Sequence, residues 1–222
     1  MNATSKSNPC ESVTVAMPWR STPEREPAHR RIKAFWAHHD IPVVEADSNK
    51  RNPFNVAQAR NNAVKKAHTP LVIVADADSI PDIGNIHHAI SILEDDKNLV
   101  IWPYTLYRHI PADWVSRSDL MAAPVDRIYY NSVGGLFITH TDTYWLLDGM
   151  DEKFGPHWGF EDNAFHHAAA TLASVTRIPG IVFSFNHPAE RDTTDANPNK
   201  ARNKLYEFAR GKPAIMEQLI AR

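Results

Sequence analysis

Thr69-Pro70-Leu71-Val72-Ile73-Val74-Ala75-Asp76-Ala77-Asp78-Ser79-Ile80-Pro81 is the stretch on which the fold turns. Its apolar, β-branched run predicts a strand buried on both faces, as in sheets covered by helices on each side. Two carboxylates, Asp76 and Asp78, follow at the C-terminal end. That is the end at which open α/β sheets bind ligands. Pro81 is expected to stop the strand and leave the acids in a turn. Carboxylate oxygens are hard ligands suited to Mg²⁺ or Mn²⁺, metals that often join a protein to a diphosphate. Asp is also an ordinary turn residue, so the pair alone reads equally well as a plain turn.

The flanking sequence supplies the partners of that strand. Residues 12–17 predict a first strand, ended by Pro18-Trp19-Arg20. Ile32, Phe35 and Trp36 mark the inner face of a helix over 24–39, and 41–46 a second strand. Asn55 and Gln58 have the spacing of a capping box opening a helix to about Ala67. This alternation predicts an α/β fold with a largely parallel central sheet flanked by helices. Beyond Pro81, Ile83, Ile86, Ile90 and Leu93 indicate another helix, and Leu99-Val100-Ile101-Trp102 a strand. Residues 104–131 show no clear periodicity apart from a short helix within 112–122. Strand character returns over 132–139, Thr141 is expected to cap a helix, and another helix follows from about Glu161 to Ala173. One or two strands over 175–185 and two closing helices complete the chain. No repeat or linker is visible, so 12–222 reads as a single domain behind a loose polar tail, 1–11.

Composition narrows the class. The chain has 222 residues, 43% of them hydrophobic and 23% charged, enough to fill a core. A net charge of −2 gives no sign of a general polyanion binder. Cys10, the only cysteine, cannot form an internal disulfide, which favours a reducing, cytoplasmic compartment. No apolar run approaches the ~20 residues of a membrane span, and the first residues lack the apolar core of a signal peptide.

A second acidic pair, Glu161-Asp162, follows Trp158-Gly159-Phe160. In the first turn of a helix the dipole favours ionised carboxylates, and one held there could take a proton from a hydroxyl. Plain helix capping is the alternative. His187, held extended by the following Pro188, could reach a metal, although a lone His more often serves structure. The His pairs at 38–39, 87–88 and 166–167 fall on helices and are assigned no ligand role. Gly134-Gly135 implies close backbone approach, a bulge or room for a ligand. Arg20 and Arg25 lie beyond the first strand, where a phosphate could sit, and Arg60-Asn61-Asn62 precedes the Asp76 strand.

In order along the chain, these pieces resemble the GT-A glycosyltransferases, above all the metal-dependent β-1,4-galactosyltransferase-like branch. The resemblance rests on Pro18-Trp19-Arg20, Phe54-Asn55 with Arg60-Asn61, Asp76-Ala77-Asp78 and Gly134-Gly135. It continues through Asp148-Gly149-Met150-Asp151-Glu152-Lys153-Phe154, Trp158-Gly159-Phe160-Glu161-Asp162, and His187 with Arg191-Asp192 and Asn197-Pro198. It implies a Rossmann-like nucleotide-binding half joined to an acceptor-binding half. By resemblance, Pro18, Trp19, Arg20, Phe54, Arg60 and Gly135 would belong to the nucleotide-sugar pocket. Asp78 and His187 would bind Mn²⁺ (or Mg²⁺), with Asp76 close to the metal, ribose or sugar. Trp158 would stack on sugar, Glu161 would bind a sugar, and Asp162 would be the catalytic base. The loop after His187 would close as a lid. Two departures stand out. Phe160 replaces a glycine of the family pattern, and Ser184 stands where this branch can place a methionine metal ligand.

The function so implied is transfer of a hexose, galactose or a related sugar, from a UDP-sugar donor to an acceptor hydroxyl, with inversion. The acceptor, a carbohydrate, protein or modified DNA, is not specified by the sequence. A retaining transferase of the polypeptide N-acetylgalactosaminyl type shares many of these motifs. A sugar nucleotidyltransferase lacks support, because no Gly-rich basic loop follows the first strand. A non-catalytic nucleotide-sugar-binding module is the third alternative.

Overall fold

The computed structural model describes residues 12–49, 53–155, 157–187, 194 and 196–221. The expected tail, Cys10 and most of the expected lid lie outside these residues.

β1 (Val13–Pro18) is buried throughout. α1 (Glu26–His38) follows, with Pro27 in its first turn, where a missing N–H costs nothing, and with Ile32 and Trp36 buried. β2 (Val43–Ala46) comes next. The Asn55 side chain caps α2 (Val56–Val64), accepting from the Gln58 backbone N–H at 2.9 Å. Gln58 does not complete the box, because its amide donates to Glu152 Oε2 instead. α2 stops before Ala67. The N–H groups of Lys66 and Ala67 bond three residues back, closing it with a tighter turn.

β3 (Leu71–Ala75) is the strand read from the sequence, buried at all five positions. It ends at Ala75. Ser79–Pro81 forms a separate strand, β4, in another sheet, so Asp76 and Asp78 occupy the passage between two sheets. α3 (Ile83–Asp95) buries the predicted Ile86, Ile90 and Leu93. β5 (Leu99–Trp102) follows. In the segment 104–131 the short helix expected within 112–122 is two 3₁₀ turns, and strands flank it, β6 (Leu106–Ile110) and β7 (Arg127–Tyr130). β8 (Leu136–His140) leads into α4 (Thr141–Leu146). Thr141 is the first residue of α4 and not its cap, for its hydroxyl donates to the Thr69 carbonyl at 2.9 Å. α5 (Glu161–Leu172), β9 (Ser174–Arg177), β10 (Ile181–Phe185), α6 (Pro198–Ala209) and α7 (Pro213–Ile220) complete the order.

The first sheet has the order β2-β1-β3-β8-β5-β9, and the second β4-β10-β6-β7. The first is mostly parallel, as expected. The exception is β8, antiparallel to both β3 and β5. It starts at the C-terminal end of β3, where the Asp76 N–H donates to the Gly135 carbonyl at 2.8 Å, and so must run back. Val15, Ile73, Ile138 and Ile101 stand opposite one another across four strands. Burying each such side chain contributes about 1.5–3 kcal/mol. A second apolar cluster joins Phe154, Ala164, Ala168, Tyr206, Ala209 and Met216 under α5, α6 and α7. Among the described residues, no helix is long and apolar enough to cross a membrane.

Candidate active site

Asp76 and the Glu161-Asp162 pair, 85 or more residues apart in sequence, meet at one buried guanidinium. Arg60, on α2, is only 3% exposed. Its Nη2 donates to Asp76 Oδ1 at 2.7 Å, and its Nη1 to Asp162 Oδ1 at 2.7 Å and Glu161 Oε1 at 3.3 Å. Asp76 comes from the end of β3, and Glu161 and Asp162 from the first turn of α5. Burial alone would lower the Arg60 pKa, but the charges of Asp162, Asp76 and Glu161 raise it well above the usual value. Three acids around one cation leave the cluster negative. Burial, with Glu161 and Asp76, accordingly pushes the Asp162 carboxyl well above the usual range despite Arg60.

Asp162 also packs on the glycine pair. A Cβ on Gly134 would lie 3.2 Å from Asp162 Oδ2. Gly135 has φ +92°, and a Cβ there would collide with the Tyr107 ring. Both glycines precede β8 rather than lying inside it. The Tyr104 hydroxyl donates to the Gly134 carbonyl, and burial raises the pKa of both tyrosines. Sequence reading missed these tyrosines, since 104–131 looked aperiodic. The alternation of buried Tyr107 and half-exposed Leu106 and Arg108 in β6 is the signal that could have found them.

Asp78 faces the other side. Its Oδ2 lies 3.0 Å from His187 Nε2, and Ser79 Oγ donates to its Oδ1 at 3.2 Å. Burial raises the Asp78 carboxyl, but His187, Arg25 and the Ser79 hydroxyl outweigh it and hold the pKa below the ordinary value. A cavity of about 320 Å³ opens beside the pair, lined by Arg25, Ala77, Asp78, Val115, Phe185 and His187. An oxygen and an imidazole nitrogen converging at its wall suit Mn²⁺ or Mg²⁺. No group of three or more His, Cys, Asp or Glu side chains suited to a metal occurs among the described residues. Asp76 Oδ1 is committed to Arg60, and Ser184 is buried in β10. Asp78 and His187 could therefore hold only a metal that keeps several of its waters, as Mg²⁺ usually does.

The remaining expected residues divide between this centre and its surroundings. Pro18 ends β1. Arg20 lies over the Phe54 ring at 5.0 Å and is held by Asp47 at 2.6 Å, so those two side chains form one wall. Trp19 is stacked on His29, with centroids 3.7 Å apart, and Arg25 sits 5.5 Å from its ring. One indole face is thus taken by the protein itself. Trp158 is 47% exposed, on a loop fixed from α6. Asn197 donates to the Trp158 carbonyl, and Asn199 to those of His157 and Gly159. Phe160 adopts φ +76° immediately before α5, and it packs against the second apolar cluster. The segment 148–154 is scaffolding for α2. Asn61 accepts from the Met150 N–H and donates to Glu152, while Asn55 donates to the Glu152 carbonyl.

No family model matches the sequence, and no curated protein does. Solved structures do resemble the fold. The catalytic domain of Drosophila beta1,4-galactosyltransferase 7 in complex with xylobiose superposes with a TM-score of 0.54 at 19% identity, over 86% of this chain and 79% of that one. A mutant of the Drosophila enzyme, in complex with manganese, UDP-Gal and xylobiose, gives 0.53 at 18% identity, with the same coverage. GalNAc-T7 with UDP, GalNAc and Mn²⁺ gives 0.57 at 13% identity, over 92% of this chain and 51% of that one. The chain has the GT-A fold of these glycosyltransferases.

Proposed function

We propose that the chain is a metal-dependent glycosyltransferase that moves a hexose, galactose or a related sugar, from a UDP-sugar to an acceptor hydroxyl with inversion. The observation that carries this reading is the meeting of Asp76 with Glu161 and Asp162 on Arg60 at the end of β3, with Asp78, two residues on, paired with His187. The similar structures hold manganese with UDP and GalNAc, or with UDP-Gal and xylobiose, which supports the same ligand classes here.

In this reading Arg20 and Phe54 receive the nucleotide, and exposed Trp158 offers its ring to sugar. Asp78 and His187 hold the metal, which when bound supplies Lewis-acid neutralisation of the diphosphate. Asp162 takes the proton of the acceptor hydroxyl as its oxygen bonds the anomeric carbon. The bond from that carbon to the diphosphate breaks, and UDP leaves with the electron pair. A base so placed is typically worth ~10²–10⁴-fold in rate. Inversion needs base and metal on opposed sides of the anomeric carbon, and this reading assigns those sides to Asp162 and to the Asp78–His187 pair.

A retaining transfer of the polypeptide N-acetylgalactosaminyl type, which shares the metal carboxylates, the Trp158-Gly159-x-Glu161 region and a late His, is the second reading. A panel of UDP- and GDP-sugars, with sugar release measured in Mn²⁺ and in EDTA, tests the proposal. Turnover of a UDP-hexose that EDTA abolishes and Mn²⁺ restores is expected; full activity in chelator would remove the metal role. The anomeric configuration of the transfer product separates inversion from retention. Pyrophosphate release from a nucleoside triphosphate and sugar phosphate would point instead to a nucleotidyltransferase.

A further inference from the structure

Arg60 is a cation that the reaction as described does not use, and it touches both acidic pairs. Little of it is open to solvent. Its two terminal nitrogens divide the work: Nη2 holds Asp76, at the end of β3, and Nη1 holds Asp162 and Glu161, at the start of α5. These elements belong to parts of the chain that have no covalent reason to keep a fixed spacing. A guanidinium is a rigid planar fork, so bonds from both prongs set the distance between the groups they hold. Lysine, with one nitrogen on a flexible stem, cannot do this. Nor is Arg60 itself loose, since it lies against Met150 Sδ at 3.4 Å within the scaffold that Asn61 and Glu152 tie down. Asp162 Oδ1 is drawn to the fork, while Oδ2 lies over the small Gly134.

We propose that Arg60 is a positioning residue for the base. It aims the Asp162 carboxylate and fixes its separation from Asp76, which marks the donor side. The proposal rests on the glycosyl-transfer reading above.

A double-mutant cycle tests it, with transfer measured at saturating donor and Mn²⁺ in wild type, Arg60→Lys, Asp162→Asn and the double variant. Arg60→Lys is expected to lower kcat by about 10-fold or more in the wild-type background, as displacing a reacting group by an ångström can cost ~10²-fold. In the Asp162→Asn background it should lower kcat by less than about 2-fold, because the group it positions is gone. An equal loss in both backgrounds overturns the proposal, and is what a role through Asp76 or in folding alone would give. Should Arg60→Lys lack a cooperative melt, the cycle is repeated on Glu161→Gln, where the cation faces two acids. Failure to fold there too would make Arg60 structural and overturn the proposal. Wild type without metal-dependent transfer, or Asp162→Asn with full turnover, would refute the reaction reading itself, before any Arg60 variant is measured.

Discussion

In the proposed reaction Asp162 carries opposing demands. A general base must ionise, yet its burial beside Glu161 and Asp76 favours the protonated form. Rate should therefore fall on acidification through a pKa above the ordinary carboxylate range, because the base is lost as it takes up a proton. A kcat/KM profile level down to about pH 4, the usual carboxylate value, would take Asp162 out of that role. Asp162→Asn should reduce turnover at least ~10²-fold, or about 2.7 kcal/mol. The sign for stability is the reverse. An acid whose pKa rises on folding destabilises the fold at pH values above its unfolded pKa, and the cost vanishes below it. Asp162→Asn should consequently melt at neutral pH no lower than the wild type, as a thermal scan would reveal; a clear fall would mean that the Arg60 bond outweighs the repulsion. Phe160 adds to the picture of a site held against local preference, since an aromatic residue at φ +76° needs surrounding packing to keep it there.

At the scale of elements, the entry to β8 is the tightest point. Gly135→Ala would need a left-handed backbone and room that the Tyr107 ring already fills. It should destabilise by about 1–3 kcal/mol, the usual range for overpacking, and a denaturant titration would measure it. An unchanged midpoint would mean that Tyr107 yields easily. Which elements the sequence disclosed follows from their physics. β3 and α3 are long or buried enough to print a period, and both were legible. β4 and β7 are three and four residues long, and β7 is exposed throughout, so no apolar rhythm marked them, while β6 carried only the brief alternation about Tyr107. The acidic pairs and His187 were legible as residue types at turn positions. Arg60 could be noticed but its role could not, because its partners lie 16, 101 and 102 residues away. Thr141 misled because a hydroxyl before a helix usually caps it, whereas here it bonds back to Thr69.

For the whole molecule, the proposed metal site, with Asp78 and His187 as its protein ligands, has a thermodynamic signature. Mn²⁺ alone should raise the melting temperature little, since few protein groups hold it. Mn²⁺ with UDP at about 100 times its Kd should add about 2.7 kcal/mol. For a chain of this size that is a rise of about 5–10 °C, at about 2–4 °C per kcal/mol. Differential scanning in Mn²⁺, in UDP with EDTA, and in both ligands would separate the cases; an equal shift with UDP in EDTA would refute the coupling.

The spacing of Asp76 and Asp78 also has an architectural origin. The Asp76 N–H is bonded to Gly135, where the first sheet begins its return strand, and the Asp78 carbonyl accepts from Phe185 at the end of β10 in the second. Buried Ala77 is all that lies between. The interval is thus the width of a seam, with no slack in it. An inserted residue would force the sheets to slip by up to ~3.3 Å, the rise of one strand residue. Side chains along this seam can change one at a time, but the number of residues crossing it is fixed by the two sheets it joins.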